Sequence, residues 1–214
     1  PAMARAAEQN VEVPNFIIIF CDDMGYADIG PFGAEGYKTP HLDRMARQGM
    51  KFTNFFVGRS FCSPSRAALL TGCIPTRVGV GGNFGPRSKN GLNPSETTIA
   101  EMLGGKGYAT AMFGKWHLGH LPRYLPTAQG FEEYFGLPYS NDMWIDPANK
   151  LADDIVIRKG LTRTDLEKGH KKRNWVPLFR GEEVIEYPAD QTTLTKRYTE
   201  EAIRFINADK DKPF

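Results

Sequence analysis

Asn15-Phe16-Ile17-Ile18-Ile19-Phe20-Cys21-Asp22-Asp23-Met24-Gly25 is an apolar, β-branched run that breaks off at two carboxylates and a glycine. Such a run is the pattern of a strand buried on both faces of a sheet, so a strand is expected over residues 15–20 with Asp22 and Asp23 at its carboxyl end. Working outward, Thr39-Pro40 opens a helix, with Thr39 able to cap it, Leu42, Met45 and Ala46 on its apolar side and Gly49 closing it. Lys51–Val57 reads as a second strand. Ser63-Pro64 starts another helix that ends at Gly72, and Ser95 can cap a third, carrying Ile99, Met102 and Leu103 and stopped by Gly104-Gly105. Tyr108–Phe113 reads as a strand, and Leu194, Tyr198, Ala202 and Phe205 recur at helical spacing, predicting a helix over residues 193–207. Strands alternating with helices define an α/β fold with a largely parallel sheet flanked by helices. Gly79–Gly91 is expected to be a long loop, and residues 120–190, rich in Pro, Gly and charge, a long excursion with little regular structure. Residues 1–14 are expected to form a mobile lead-in. Pro213-Phe214 looks like the first step of a further strand, so the chain is expected to be truncated at its C-terminal end.

Composition narrows the function classes. The chain has 214 residues with 27 Lys+Arg against 25 Asp+Glu, a formal charge of +2, which leaves no basic footprint for nucleic acid. The longest apolar run is far shorter than the ~20 residues of a membrane span. Cys21, Cys62 and Cys73 lack the spacing of a zinc site and are too few for a disulfide framework. Ala2-Met3-Ala4 resembles the small-x-small tail of a secretory signal, although the apolar core of such a signal is absent; it points to a periplasmic or extracellular location.

Three segments can carry chemistry, because ligands of open α/β sheets bind beyond the carboxyl ends of the strands. Asp22 and Asp23 are adjacent, and two confined carboxylates repel unless a cation lies between them. They form either a polar turn or half of a site for a hard cation such as Ca²⁺ or Mg²⁺. Cys62 and Arg66 lie four apart, on one face of a helical first turn whose free N–H groups attract anions. They are either a nucleophile beside an anion-binding cation, or an inert thiol and a surface arginine. The spacing of cysteine phosphatases is excluded, since Ala68 stands where that motif needs arginine. Lys115 and His117, two apart, point to one side of an extended segment. His117 is either a structural histidine or a proton-transfer group facing an anion site. His120 and His41 carry weaker signals, Trp116 is read as packing, and His170–Arg173 as a solvated loop.

Taken together, Asn15–Gly25 (NFIIIFCDDMG), Thr39–Phe52 (TPHLDRMARQGMKF), Cys62–Gly72 (CSPSRAALLTG) and Gly114–Gly119 (GKWHLG) closely resemble the type I, formylglycine-dependent sulfatase family of the alkaline-phosphatase superfamily. Leu125–Met143 resembles its arylsulfatase and N-acetylgalactosamine-6-sulfatase branch. The resemblance implies that a formylglycine-generating maturation enzyme oxidises Cys62 to Cα-formylglycine. It further implies that Asp22, Asp23 and the modified Cys62 ligate Ca²⁺ and that Arg66 holds the hydrated aldehyde. Lys115 would bind sulfate, and His117 would bind it too and take the proton as sulfate leaves. The implied reaction is hydrolysis of an aryl or carbohydrate sulfate through a covalent sulfo-enzyme. The family's second Lys, further His and Asp–Asn/Gln metal pair would lie downstream of Phe214, for Asp209 and Asp211 do not match that motif. Residues 15–214 are therefore expected to be the N-terminal part of a sulfatase catalytic domain, inactive alone. A phosphodiesterase or phosphonate hydrolase of the same superfamily, and a non-catalytic anion- or sugar-binding remnant, are the competing readings.

Overall fold

The computed structural model describes residues 13–209 and 211–214; most of the expected lead-in lies outside them. Five strands make one sheet: β1 (Ala111–Lys115), β2 (Glu133–Leu137), β3 (Leu151–Ile157), β4 (Leu178–Arg180) and β5 (Glu183–Tyr187). Their order is β1-β2-β4-β5-β3, with β1–β2 and β3–β5 parallel and β2–β4 and β4–β5 antiparallel. The sheet is therefore mixed rather than parallel throughout. The helices are α1 (Pro40–Gln48), α2 (Cys62–Thr71), α3 (Ile99–Gly104), α4 (Arg163–Glu167) and α5 (Leu194–Ala208).

Period-two alternation along the strands builds a core on each face of the sheet. Tyr134, Phe179 and Val184 point to one side, where they join Trp116, Leu118, Leu125, Ile145 and Ala67 of α2. Phe135, Leu137 and Leu178 point to the other, against Leu194 and Tyr198 of α5. Phe113 of β1 meets Phe205 edge-on at 6.1 Å, fixing α5 across the β1 end of the sheet. Burial of these large side chains contributes about 1.5–3 kcal/mol each. Trp116 is core, as its sequence context implied, and its indole N–H donates to the Tyr124 carbonyl.

Four of the five strands fall in the expected structureless excursion over residues 120–190. They are short, from three to seven residues, and β3 and β5 carry Asp153, Asp154, Glu183 and Glu186, so no long apolar run announces them. The expected strands at residues 15–20 and Lys51–Val57 do not form. Phe16, Ile17, Ile18 and Ile19 are exposed, as are Phe52, Phe55, Phe56 and Val57, because nothing among the described residues covers them. The first run is nonetheless started into a sheet-like arrangement. Phe16 N donates to Phe214 O at 2.7 Å, Phe214 N to Asn15 Oδ1 at 3.0 Å, and Ala109 N to Pro213 O at 2.9 Å. Pro213-Phe214 thus lies between residues 15–16 and the segment entering β1. That contact also explains why β1 begins at Ala111 rather than Tyr108: Ala109 is bonded to Pro213 and not to β2.

The helix boundaries shift for identifiable reasons. Thr39 does not cap α1; its Oγ1 accepts from Gly30 N and donates to Asp43. The cap of α3 is Thr98, not Ser95, in a reciprocal box in which Glu101 N donates to Thr98 Oγ1 and Thr98 N to the Glu101 carboxylate. The helix α2 starts one residue early, at Cys62, with Phe61 in the cap position and Gly72 closing it at φ 66°.

Candidate active site

Because α2 begins at Cys62, Ser63 sits inside its first turn instead of capping it. Ser63 N donates to Asn83 Oδ1 at 3.0 Å, and Phe84 N donates to Ser63 Oγ at 3.2 Å. An orphan N–H of the helix start is thereby satisfied by the loop of residues 79–91. The i, i+4 spacing then puts Cys62 and Arg66 on one face, turned toward the carboxyl end of β1.

Lys115, the last residue of β1, is the meeting point. Its Nζ lies 2.7 Å from Asp22 Oδ2 and 3.3 Å from Cys62 Sγ. Arg66 Nη2 reaches Asp22 Oδ1 at 3.3 Å, while its Nη1 donates to the Lys115 backbone carbonyl. The Arg66 guanidinium also lies over the Phe20 ring, 5.6 Å from its centroid. Cys62, Arg66, Lys115 and Asp22 are thus brought together. Burial alone would raise the Asp22 carboxyl, but hydrogen bonding and charge from Lys115, with Arg66 behind it, outweigh that and hold its pKa below the ordinary value.

His117 reaches the same neighbourhood by a different route from the one its spacing implied. It is not extended: its φ is 60°, a left-handed conformation that costs a non-glycine residue about 1–2 kcal/mol. The turn buries the ring completely and aims Nε2 at the Phe84 carbonyl, 2.7 Å away. A carbonyl can only accept, so Nε2 carries the hydrogen and Nδ1 keeps its lone pair. Nδ1 is buried without a hydrogen-bond partner among the described residues. Burial, reinforced by the charge of Lys115, pushes the His117 pKa down to about 4. At neutral pH this histidine is an uncharged base.

Asp23 is not gathered in. It is exposed at φ 56°, and no group of three or more His, Cys, Asp or Glu side chains among the described residues is placed to hold a metal ion. The oxygens of Asp22 and Asp23 have the hardness Ca²⁺ requires, but they fall short of the six to eight donors it takes, and both Asp22 oxygens face cations. The described residues hold part of such a site at most. His120 does not join the centre either; it makes a buried 2.7 Å contact with Asp146 behind it. Asn83 and Phe84, which hold the start of α2 and His117, carried no sequence signal beyond lying in a glycine-rich loop.

A mixed sheet between helices, with Arg66 and Lys115 gathered at the carboxyl end of a parallel strand pair, makes this an α/β protein whose candidate site lies where open sheets bind their ligands. A sulfatase family profile matches residues 14–214, and the chain belongs to the sulfatase family. Arylsulfatase G of Canis lupus familiaris is 42% identical over 204 residues, which cover 94% of this chain and 38% of the relative. N-acetylgalactosamine-6-sulfatase of Sus scrofa is 37% identical over 204 residues, covering 90% and 36%. The crystal structure of Ps i-CgsB superposes with a TM-score of 0.76 at 32% identity, over 95% of this chain and 44% of that one. The chain thus spans about two fifths of the length of these relatives. Among the described residues, no helix is long and apolar enough to cross a membrane.

Proposed function

We propose that this chain carries the nucleophile-bearing half of a sulfatase site that hydrolyses an aryl or carbohydrate sulfate ester. The observation that carries the reading is the convergence of Cys62 Sγ and the Asp22 carboxylate on one ammonium, Lys115 Nζ. Formylglycine at position 62, produced by a maturation enzyme that reads Cys62-x-Pro64-x-Arg66, would supply an oxygen nucleophile when hydrated. Lys115 then binds an oxygen of the sulfate group, a charge-assisted contact in a largely dry setting. Arg66 fixes the carbonyl of Lys115 and one oxygen of Asp22, holding both groups in register. His117, neutral at working pH, offers the Nδ1 lone pair for the proton released as the sulfate departs. Asp22 and Asp23, with the oxygen at position 62, would be the chain's contribution to a Ca²⁺ site, which would stabilise the charge of the nucleophile and the sulfate. The partners are a sulfated small molecule or glycan and the maturation enzyme, and the location is periplasmic or extracellular.

The test uses protein expressed from the complete coding sequence in a host with the maturation system. Intact-mass analysis should find the Cys62 peptide lighter by about 18 Da, the mark of aldehyde formation. The matured protein should release sulfate from a chromogenic aryl sulfate far faster than it cleaves the matched phosphate diester. An unconverted thiol, or a preference for the diester, defeats the reading.

A further inference from the structure

His117 and Gly119 are both left-handed, at φ 60° and 115°, so the chain takes two such steps between β1 and His120. A non-glycine residue keeps that conformation only where its surroundings over-determine it. Some of the fastenings are backbone bonds and close packing. His117 N donates to Pro138 O at 3.1 Å, Leu92 N donates to Leu118 O at 2.7 Å, and a Cβ on Gly119 would fall 2.6 Å from Tyr124 Cβ. One more is a side-chain pair. His120, 1% exposed, and Asp146, 5% exposed, meet at 2.7 Å between Nε2 and Oδ2. A carboxylate accepts, so Nε2 carries the hydrogen. Asp146 is itself fixed in a turn that closes on its own polar groups. Asn149 N donates to the Asp146 carbonyl at 3.0 Å, Ala148 N to Asp146 Oδ1 at 3.0 Å, and Asp146 N to Asn149 Oδ1 at 3.2 Å. Pro147 of that turn packs against Gly169, where an added Cβ would come within 3.1 Å of Pro147 Cδ. The His120 ring also stands edge-on to Tyr139, centroids 5.5 Å apart, and Tyr139 follows the proline whose carbonyl holds His117 N.

We propose that His120 and Asp146 are a positioning pair: they lock the left-handed turn at His117 and so set the turnover rate without touching substrate. This rests on the reading of His117 as the proton acceptor given above. The turn is pinned at its start by β1, which ends at Lys115, and at its end by His120. With both ends held, the residues between cannot relax to an extended path, and His117 Nε2 stays on the Phe84 carbonyl. Breaking the pair leaves a buried carboxylate or a buried ring N–H that must find water, so the segment beyond Gly119 has to open. The strained turn then loses the restraint on its far side. A misplacement of about 1 Å in a group that handles a proton costs about 100-fold in rate. Lys115 lies in the strand, before the turn, so sulfate binding through it is retained. The loss therefore falls on kcat and not on KM.

The experiment uses the matured full-length protein carrying ¹⁵N-labelled histidine, with rates referred to the folded fraction. His120→Ala should lower kcat on a chromogenic aryl sulfate about 10- to 100-fold, with KM within about twofold of wild type. His120→Gln, which can return an N–H to Asp146, should recover most of that rate. The double variant His120→Ala/Asp146→Ala should lose no more than the worse single variant, the mark of two groups acting as one. The Nε2–H signal of His117, identified by its absence in His117→Gln, should exchange with water about tenfold faster in His120→Ala. Amide protection of α5, on the other face of the sheet, should not change. A wild-type kcat in His120→Ala, or a lowered kcat with the His117 signal unmoved, overturns the pair's role. Equal loosening of α5 overturns it too, for the pair would then be a general prop of the fold. If the matured wild type cleaves no sulfate ester but the His117 signal alone loosens in His120→Ala, the positioning pair stands and the sulfatase reading falls. If the ester is cleaved and neither readout moves, the reverse holds. Should His120→Ala fail to fold, Asp146→Asn supplies the same comparison: it keeps an acceptor but weakens the bond to Nε2, and should lower kcat about threefold.

Discussion

His117 Nε2 and the Phe84 carbonyl oxygen lie 2.7 Å apart, and that single bond sets the tautomer of the buried imidazole. The burial around it makes the fold sensitive to acid, although the bond itself favours the charged ring. The His117 pKa falls from 6.5 to about 4 because burial penalises the cation, with Lys115 and Arg66 adding to the penalty and Asp22 opposing it. The unfolded chain therefore binds this proton below pH 6.5, while the native state refuses it until about pH 4. The stabilisation is complete above pH 6.5 and is lost as pH falls from 6.5 to about 4, amounting to roughly 3 kcal/mol. Thermal melts across that range should show His117→Gln losing less stability with acid than wild type. His120, also lowered by burial, remains in both proteins and supplies the residual slope. Superimposable curves would remove His117 from the account.

Lys115 binds Asp22 at the surface of the centre, where the carboxylate side chain is 49% exposed. Lys115 is largely buried, but Asp22 is open to water and keeps Arg66 as a partner, so losing the pair should cost about 1 kcal/mol. Activity should respond differently. Lys115→Met is expected to lower kcat of the matured protein about 100-fold or more, the scale on which a charge-stabilising donor acts. Arg at this position should recover only part of it, since a planar fork does not reproduce a compact ammonium. Steady-state rates alongside thermal melts separate the two effects; a variant that melts early and keeps its kcat would make Lys115 a structural residue.

How much of this was legible follows from the range of the interactions. That Cys62 and Arg66 share a face could be read because an i, i+4 spacing on a helix is local, whereas the extended path expected from Lys115 to His117 could not, since His117 turns left-handed. The partners that complete the centre are not local: Asn83 lies twenty residues from Ser63, and Phe84 lies 33 from His117. The apolar run at Phe16–Ile19 reads as a buried strand by composition, yet burial depends on neighbours that the run itself does not encode. Conversely, β5 is a strand despite its carboxylates, because they find cations: Glu183 pairs with Lys150, and Glu186 with Arg158 and Arg197, while Asp153 and Asp154 of β3 face solvent. Periodicity reports local faces, and pairing across the sheet has no counterpart in it.

Glu186 is the most enclosed of these carboxylates, 4% exposed. It accepts from Arg197 Nη1 at 2.8 Å, Arg158 Nε at 3.2 Å and Asp190 N at 2.7 Å, joining β5, α5 and the turn between them. Removing it deprives the largely enclosed Arg197 guanidinium and a backbone N–H of their acceptor, while Arg158, 46% exposed, can turn to water. Glu186→Ala should therefore destabilise by about 3 kcal/mol or more in denaturant melts, with Glu186→Gln less harmful because it keeps an acceptor. Equal losses from Ala and Gln would mean that packing, not charge and hydrogen bonding, sets the cost.

Gly136 faces Gly114 across the parallel β1–β2 pair, one residue before Lys115 and its partner Leu137. A Cβ on Gly136 would fall 1.8 Å from Gly114 O and 2.7 Å from its carbonyl carbon. Both obstacles are backbone, so no side-chain rotation relieves the clash and the strands must part. Gly136→Ala should cost about 3 kcal/mol or more, at the upper end of overpacking penalties. The displaced strand carries Lys115, so the loss should reach the site: kcat should fall even in the fraction that remains folded. Gly104→Ala is the matched control, for nothing lies within 4 Å of its added Cβ. At the end of α3 it should be neutral or stabilising by about 0.5 kcal/mol. If Gly136→Ala melts with wild type, the close approach of β1 to β2 is not what holds Lys115 at its post.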